Sequence, residues 1–130
     1  MTPAIGFVLF LIITLVLLGC VVRTGQLGLR RRHITLVVMT VISLGITIVY
    51  AEALGHEFDL EAAGWLYPFH LTVAKTATVL YLAPVVTGIA TIRNPRWRKR
   101  HGKVAWVVLG FTVLTAITGT AMLLAAEPLP

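Results

Sequence analysis

Residues 3–22 read PAIGFVLFLIITLVLLGCVV, twenty positions without one charged side chain, and residues 23–33 then read RTGQLGLRRRH. A helix rises about 1.5 Å per residue, so twenty residues cover the roughly 30 Å of hydrocarbon in a bilayer. The step from no charge to four arginines is the second half of the signal, and the pattern continues. Apolar runs at 34–54, 65–92 and 104–125 are separated by charged connections at 55–64 and 93–103. Only helices or closed barrels satisfy the backbone in lipid, and barrel strands are short and alternating. The sequence therefore predicts an all-α fold, an integral membrane four-helix up-down bundle forming a single domain over residues 1–130.

Composition agrees. The chain is 58% hydrophobic and 12% charged, about half the charge of a soluble domain. Its net charge of +6 would suggest nucleic acid in a soluble protein. Here the cations are placed by topology. Arg23, Arg30, Arg31 and Arg32 lie in the first connection, and Arg93, Arg96, Arg98, Lys99, Arg100 and Lys103 in the third. The acids Glu52, Glu57, Asp59 and Glu61 lie in or beside the second, and Glu127 in the tail. Lys and Arg excess marks the cytoplasmic side. Both basic connections are thus expected inside and both termini outside, in a multi-pass protein of a bacterial or archaeal cytoplasmic membrane. The expected partner is the lipid bilayer, not nucleic acid. Trp65, Tyr67 and Phe69 fit an outer aromatic belt, and Trp97 and Trp106 an inner one.

Cys20 is the single cysteine, so no internal disulfide forms. Leu17-Leu18-Gly19-Cys20 has the look of a lipoprotein cleavage box, but no Lys or Arg precedes it. A signal peptide begins with a positive region, which favours an uncleaved first helix.

Helices in lipid pack through small and polar residues. At 100° per residue, His33, Thr40, Ser43, Thr47 and Tyr50 line one face of the second helix. His70, Ala77, Tyr81, Pro84 and Gly88 line one face of the third, and His101, Ala105, Thr112, Thr115 and Gly119 one face of the fourth. Packing explains most of these residues. The first helix shows no such stripe, since Gly6, Thr14 and Cys20 do not share a face; it is expected to be the most lipid-exposed. Pro84 is expected to kink the third helix.

The candidate chemistry rests on the histidines heading those stripes. His33 and His101 open the second and fourth helices at one membrane edge, as two axial ligands of a b-type haem iron would. Arg30, Arg31, Arg32, Arg98 and Arg100 would pair with its propionates. The alternative is a pair of solvated interfacial histidines. His70 lies towards the other edge, near His56, and a second ligand pair there is conceivable. Lys75 lies inside the third helix, where a charge is costly and is paired or functional. Glu52 is its natural partner; the pair either fixes a helix contact or, with His70, serves a proton or quinone site. Ser43 has no His and Asp at matching depth, and no phosphate-binding glycine loop is present, so no independent catalytic activity is expected.

From Arg32 to Leu123 the chain resembles a family of small four-helix bacterial membrane proteins of unknown function. That family includes the CtaM/YozB proteins of haem–copper oxidase maturation. The matching residues are Arg32-His33, Tyr50 with Glu52, His70, Pro84 with Gly88, the run His101-Gly102-Lys103-Val104-Ala105-Trp106, and Thr118-Gly119. The segment from Tyr67 to His70 is shorter than in the family, and Gly102 stands where Arg is usual. The resemblance implies functional histidines at His33, His70 and His101, and a role in the respiratory chain. That role would be terminal-oxidase maturation or an accessory subunit, with a terminal oxidase as partner. The His-Gly opening and late Thr-Gly of the fourth helix are also similar to b-type cytochromes of the membrane cytochrome superfamily, which would add electron exchange with quinone. A structural subunit without cofactor is the third reading.

Overall fold

The computed structural model describes residues 2–130. It is almost wholly helical, with α1 at Pro3–Gln26, α2 at Arg30–Gly55, α3 at Leu66–Leu80, α4 at Leu82–Arg93 and α5 at Arg98–Ala125. Single-turn 3-10 helices at Glu61–Ala63 and Pro95–Trp97 precede α3 and α5, and two-residue strands occur at Phe58–Asp59 and Glu127–Pro128. Helices α3 and α4 form one span, so four spans are long and apolar enough to cross a membrane, as in a multi-pass membrane protein.

Helix ends depart from the apolar runs. The first connection, expected at 23–33, shrinks to residues 27–29, and the third, expected at 93–103, to residues 94–97. Apolarity marks where hydrocarbon ends, not where the backbone stops hydrogen bonding. Arg and Lys are good helix formers, so α1, α2 and α5 continue through them. Gly28, at φ 71°, supplies the left-handed turn between α1 and α2. At the other end of α1, Thr2 Oγ1 accepts the Ile5 N–H at 3.4 Å, with Pro3 opening the first turn. The expected kink is present as an interruption at Tyr81. Pro84 has no N–H to offer the Leu80 carbonyl four residues back, and the helix breaks there.

Two compact units are distinguished, one reaching Phe58 and one beginning at Asp59. In the first, α1 and α2 pack antiparallel, with polar residues inside and apolar residues outside. Thr14 is 2% exposed, whereas Val49 is 63% exposed. Thr14 Oγ1 lies 2.7 Å from Ser43 Oγ and 3.1 Å from Thr47 Oγ1. Thr47 donates to the Ser43 carbonyl at 2.9 Å, so its oxygen accepts from Thr14, and Thr14 accepts from Ser43. Each hydroxyl donates once. Near the N-terminus of α1, Gly6 lies directly against the Tyr50 ring, which stacks on Phe10 at 5.8 Å. Contrary to expectation, α1 does carry a packing face: Gly6 and Thr14 are buried, and Gly25 packs against α2. Cys20 is exposed and lies off it.

In the second unit, α3 and α4 pack antiparallel to α5. Val73 and Ala77 are buried on α3, and Val108, Thr112, Thr118, Gly119 and Met122 on α5. Tyr81, at the break, reaches α5 with its hydroxyl 2.7 Å from Thr112 Oγ1. Thr112 donates to the Val108 carbonyl at 2.8 Å, so the tyrosine is the donor. Residues from all three expected stripes face neighbouring helices: Thr40, Ser43 and Thr47; Ala77; Thr112 and Gly119 are buried.

Hydrogen bonds of this kind stabilise membrane helix pairs by about 0.6–1.7 kcal/mol. Thr14→Val should therefore lower the unfolding free energy of the full chain in detergent by that order. Thr35→Val, at an exposed position bonded only within its own helix at 3.1 Å, should have a far smaller effect. Equal losses in the two variants would refute the hydroxyl cluster as the link between α1 and α2.

Candidate functional site: three seated histidines

Thr-Gly occurs three times in the chain, at Thr24-Gly25, Thr87-Gly88 and Thr118-Gly119. Each occurrence seats a different histidine. His33 is the fourth residue of α2, following three arginines. Its Nδ1 lies 3.0 Å from the Val21 carbonyl and 3.5 Å from Thr24 Oγ1. A Cβ on Gly25 would stand 3.2 Å from its Cε1. His101 is the fourth residue of α5, following Arg98-Lys99-Arg100. Its Nδ1 lies 3.1 Å from Thr87 Oγ1, and a Cβ on Gly88 would stand 3.4 Å from its Cε1. His70, on α3, has Nδ1 3.0 Å from Thr118 Oγ1, and a Cβ on Gly119 would stand 2.8 Å from its Cε1. The glycine gives the ring a floor without a side chain, and the threonine gives one ring nitrogen a partner.

The direction of these bonds follows from the threonines. Thr24 donates to the Cys20 carbonyl at 2.8 Å, Thr87 to Ala83 at 2.8 Å and Thr118 to Leu114 at 2.9 Å. Each hydroxyl proton is spent on its own helix four residues back, so the oxygen faces the imidazole as an acceptor. The Val21 carbonyl is an acceptor by nature. The Val21 carbonyl thus places the proton on Nδ1 of His33, and with the threonine protons held on their own helices His70 and His101 take the same tautomer. Metal-binding histidines have this arrangement, with one nitrogen donating to a protein oxygen and the other ligating.

His70 and His101 belong to one unit but lie apart. His70 meets α5 at Thr118, seventeen residues beyond His101, or about 26 Å along a helix. They cannot share an atom as ligands. His56 is the exposed residue closing α2 and has no Thr-Gly seat. Lys75 is exposed on the side of α3 away from buried Val73 and Ala77, and Glu52 is exposed on α2. Arg30, Arg31, Arg32, Arg98 and Arg100 are all exposed. Among the described residues no three His, Cys, Asp or Glu side chains come together as a metal-binding group.

Reading by stripes found the three histidines but not their seats on neighbouring helices. The recurrence of Thr-Gly was the available signal, since three such pairs among four histidines is a countable coincidence. Protein-family profiles, curated proteins and solved structures were compared with the chain, and none of them matches it.

The seats differ in tightness, so a methyl group should disturb them in order. Gly119→Ala should perturb its histidine most, Gly25→Ala less and Gly88→Ala least, read as imidazole 15N shifts. Gly45→Ala, with nothing within 4 Å, should leave all three unchanged. A lone-pair-type Nδ1 at His70 in those spectra would contradict the assigned tautomer.

Proposed function

We propose that this chain is a haem-handling protein of a prokaryotic cytoplasmic membrane, acting in terminal-oxidase maturation with a seated histidine as axial ligand. The observation that carries this reading is the shared ring setting: Nδ1 against a protein oxygen of a neighbouring helix, with a glycine beneath the ring. The donor set points to haem over a bare ion. Zinc wants four ligands, mostly from protein, whereas the porphyrin supplies four of the six around a haem iron and leaves one or two to histidine. Three cations directly precede His33, and three precede His101, which suits the propionates. The positive-inside rule assigns both cationic segments to the cytoplasmic surface and both termini to the outside. The sequence similarity of residues 32–123 to a family of unknown function that includes oxidase-maturation proteins is in line with this reading.

His33 and His101, the residues flanked by arginines, are the first choices as ligands, and His70 marks a distinct position in the first turns of α3. Lys75 and Glu52 have no assigned part in haem handling. A b-type cytochrome exchanging electrons with quinone is the second reading, favoured by the same ring setting.

The test is a visible spectrum of the full chain in mild detergent, with hemin added and then reduced by dithionite. A sharp b-type band that weakens in His33→Ala or His101→Ala supports haem ligation. Thr87→Val keeps His101 but removes its Nδ1 acceptor, and should weaken hemin binding about 10–100-fold. Haem that co-purifies in fixed ratio favours the cytochrome; haem bound only on addition, together with recovered oxidase subunits, favours maturation. Spectra identical in wild type, His33→Ala, His70→Ala and His101→Ala would overturn the proposal.

A further inference from the structure

The end of α4 carries a second feature, separate from the seated histidines. Val86, Ile89, Ala90, Arg93, Asn94 and Trp97 line a groove of about 360 Å³. One end is apolar and open, with Val86 64% exposed. The other is polar and cationic. Arg93 is the last residue of α4. The Asn94 carboxamide oxygen accepts the Arg96 N–H at 3.0 Å, so its NH2 remains as the donating group. The Arg100 guanidinium lies 4.9 Å from the centre of the Trp97 ring, a cation–π contact that holds a second cation beside the groove. Residues 93–103 contain six cations and no acid.

An apolar channel along the outside of a membrane-crossing helix, closed at one end by cations and an amide donor, matches a phospholipid. The acyl chain follows the helix and the phosphate lies at its polar end. We propose that this groove binds one anionic phospholipid. Its acyl chain lies along Val86, Ile89 and Ala90, and its phosphate is met by Arg93, the Asn94 amide and Arg100. The apolar lining runs on into the cationic end, which suits a lipid and would be idle for a free anion. Each arginine near an anionic membrane surface contributes roughly fivefold to affinity, so two give a clear preference over a zwitterionic lipid.

The experiment uses the full chain with Trp65→Phe and Trp106→Phe, leaving Trp97 as sole tryptophan, in vesicles of phosphatidylcholine containing either brominated phosphatidylglycerol or brominated phosphatidylcholine. Bromine quenches Trp97 only at short range, so the difference between the two brominated lipids reports which one gathers at the groove and its rim. Quenching should favour the glycerol lipid by roughly five- to twentyfold. The preference should fall about fivefold in Arg93→Gln and again in Arg100→Gln, and persist in Arg93→Lys. Native mass spectrometry of the unaltered chain is the second readout, and should retain phosphatidylglycerol over phosphatidylcholine. Equal quenching and equal retention of the two lipids would overturn the proposal. Loss of the preference on adding inorganic phosphate would overturn it too, by reducing the groove to a plain anion site.

Discussion

A hydroxyl group in hydrocarbon must send its proton to a protein oxygen, and this constraint organises both units. Most threonines of the membrane-crossing helices donate to the carbonyl of their own helix, three or four residues back. The donor is spent locally, and the oxygen turns outward as an acceptor. Whatever packs against it must then donate. Tyr81 does so to Thr112, Thr14 to Thr47, and the histidines to Thr87 and Thr118. Helix contact, ring orientation and imidazole tautomer are thus consequences of one choice made by the threonine proton.

Glycine supplies the other half. Beside each imidazole the position next to the threonine is a glycine, and a methyl group would crowd the ring at Gly119 and Gly25 and just touch it at Gly88. The placement of His33 and His101 follows the same logic at the chain level. Helices α2 and α5 both begin with three cations and no side-chain cap. Positive charge at a helix N-terminus opposes the helix dipole by about 0.3–1 kcal/mol per charge. The helical propensity of arginine and lysine is therefore set against an unfavourable dipole term at both positions.

Much of this was legible in the residues. Four spans followed from length and apolarity, and the Tyr81 break from Pro84. Thr40, Ser43, Thr47, Ala77 and Thr112 fell on packing faces because small and polar side chains have one sensible direction in lipid. Helix ends were not legible, because hydropathy measures where hydrocarbon stops and Arg30–His33 continue the helix beyond it. The face of α1 was missed for a related reason. Cys20 lies off the face that Gly6 and Thr14 share, and Gly25, whose polar neighbours suggest a loop, belongs to the helix and completes that face. The seats could not be read from single-helix periodicity, because each joins two helices and depends on register between them. The exposed positions of Lys75 and Glu52 leave their chemistry where the sequence left it.

The Thr-Gly seat also governs how such a chain can change over generations. A methyl group at Gly119 would have to push the His70 ring aside, yet once that histidine is gone the glycine has room to become alanine. Threonine loses its reason to stay polar in the same event. Loss of the histidine would thus release both companions at once, whereas loss of either companion would leave the ring crowded or without its acceptor. Descendants that keep the ring should inherit all three residues as one unit, so their joint survival or joint decay would separate lineages that still use the imidazole from those that have abandoned it.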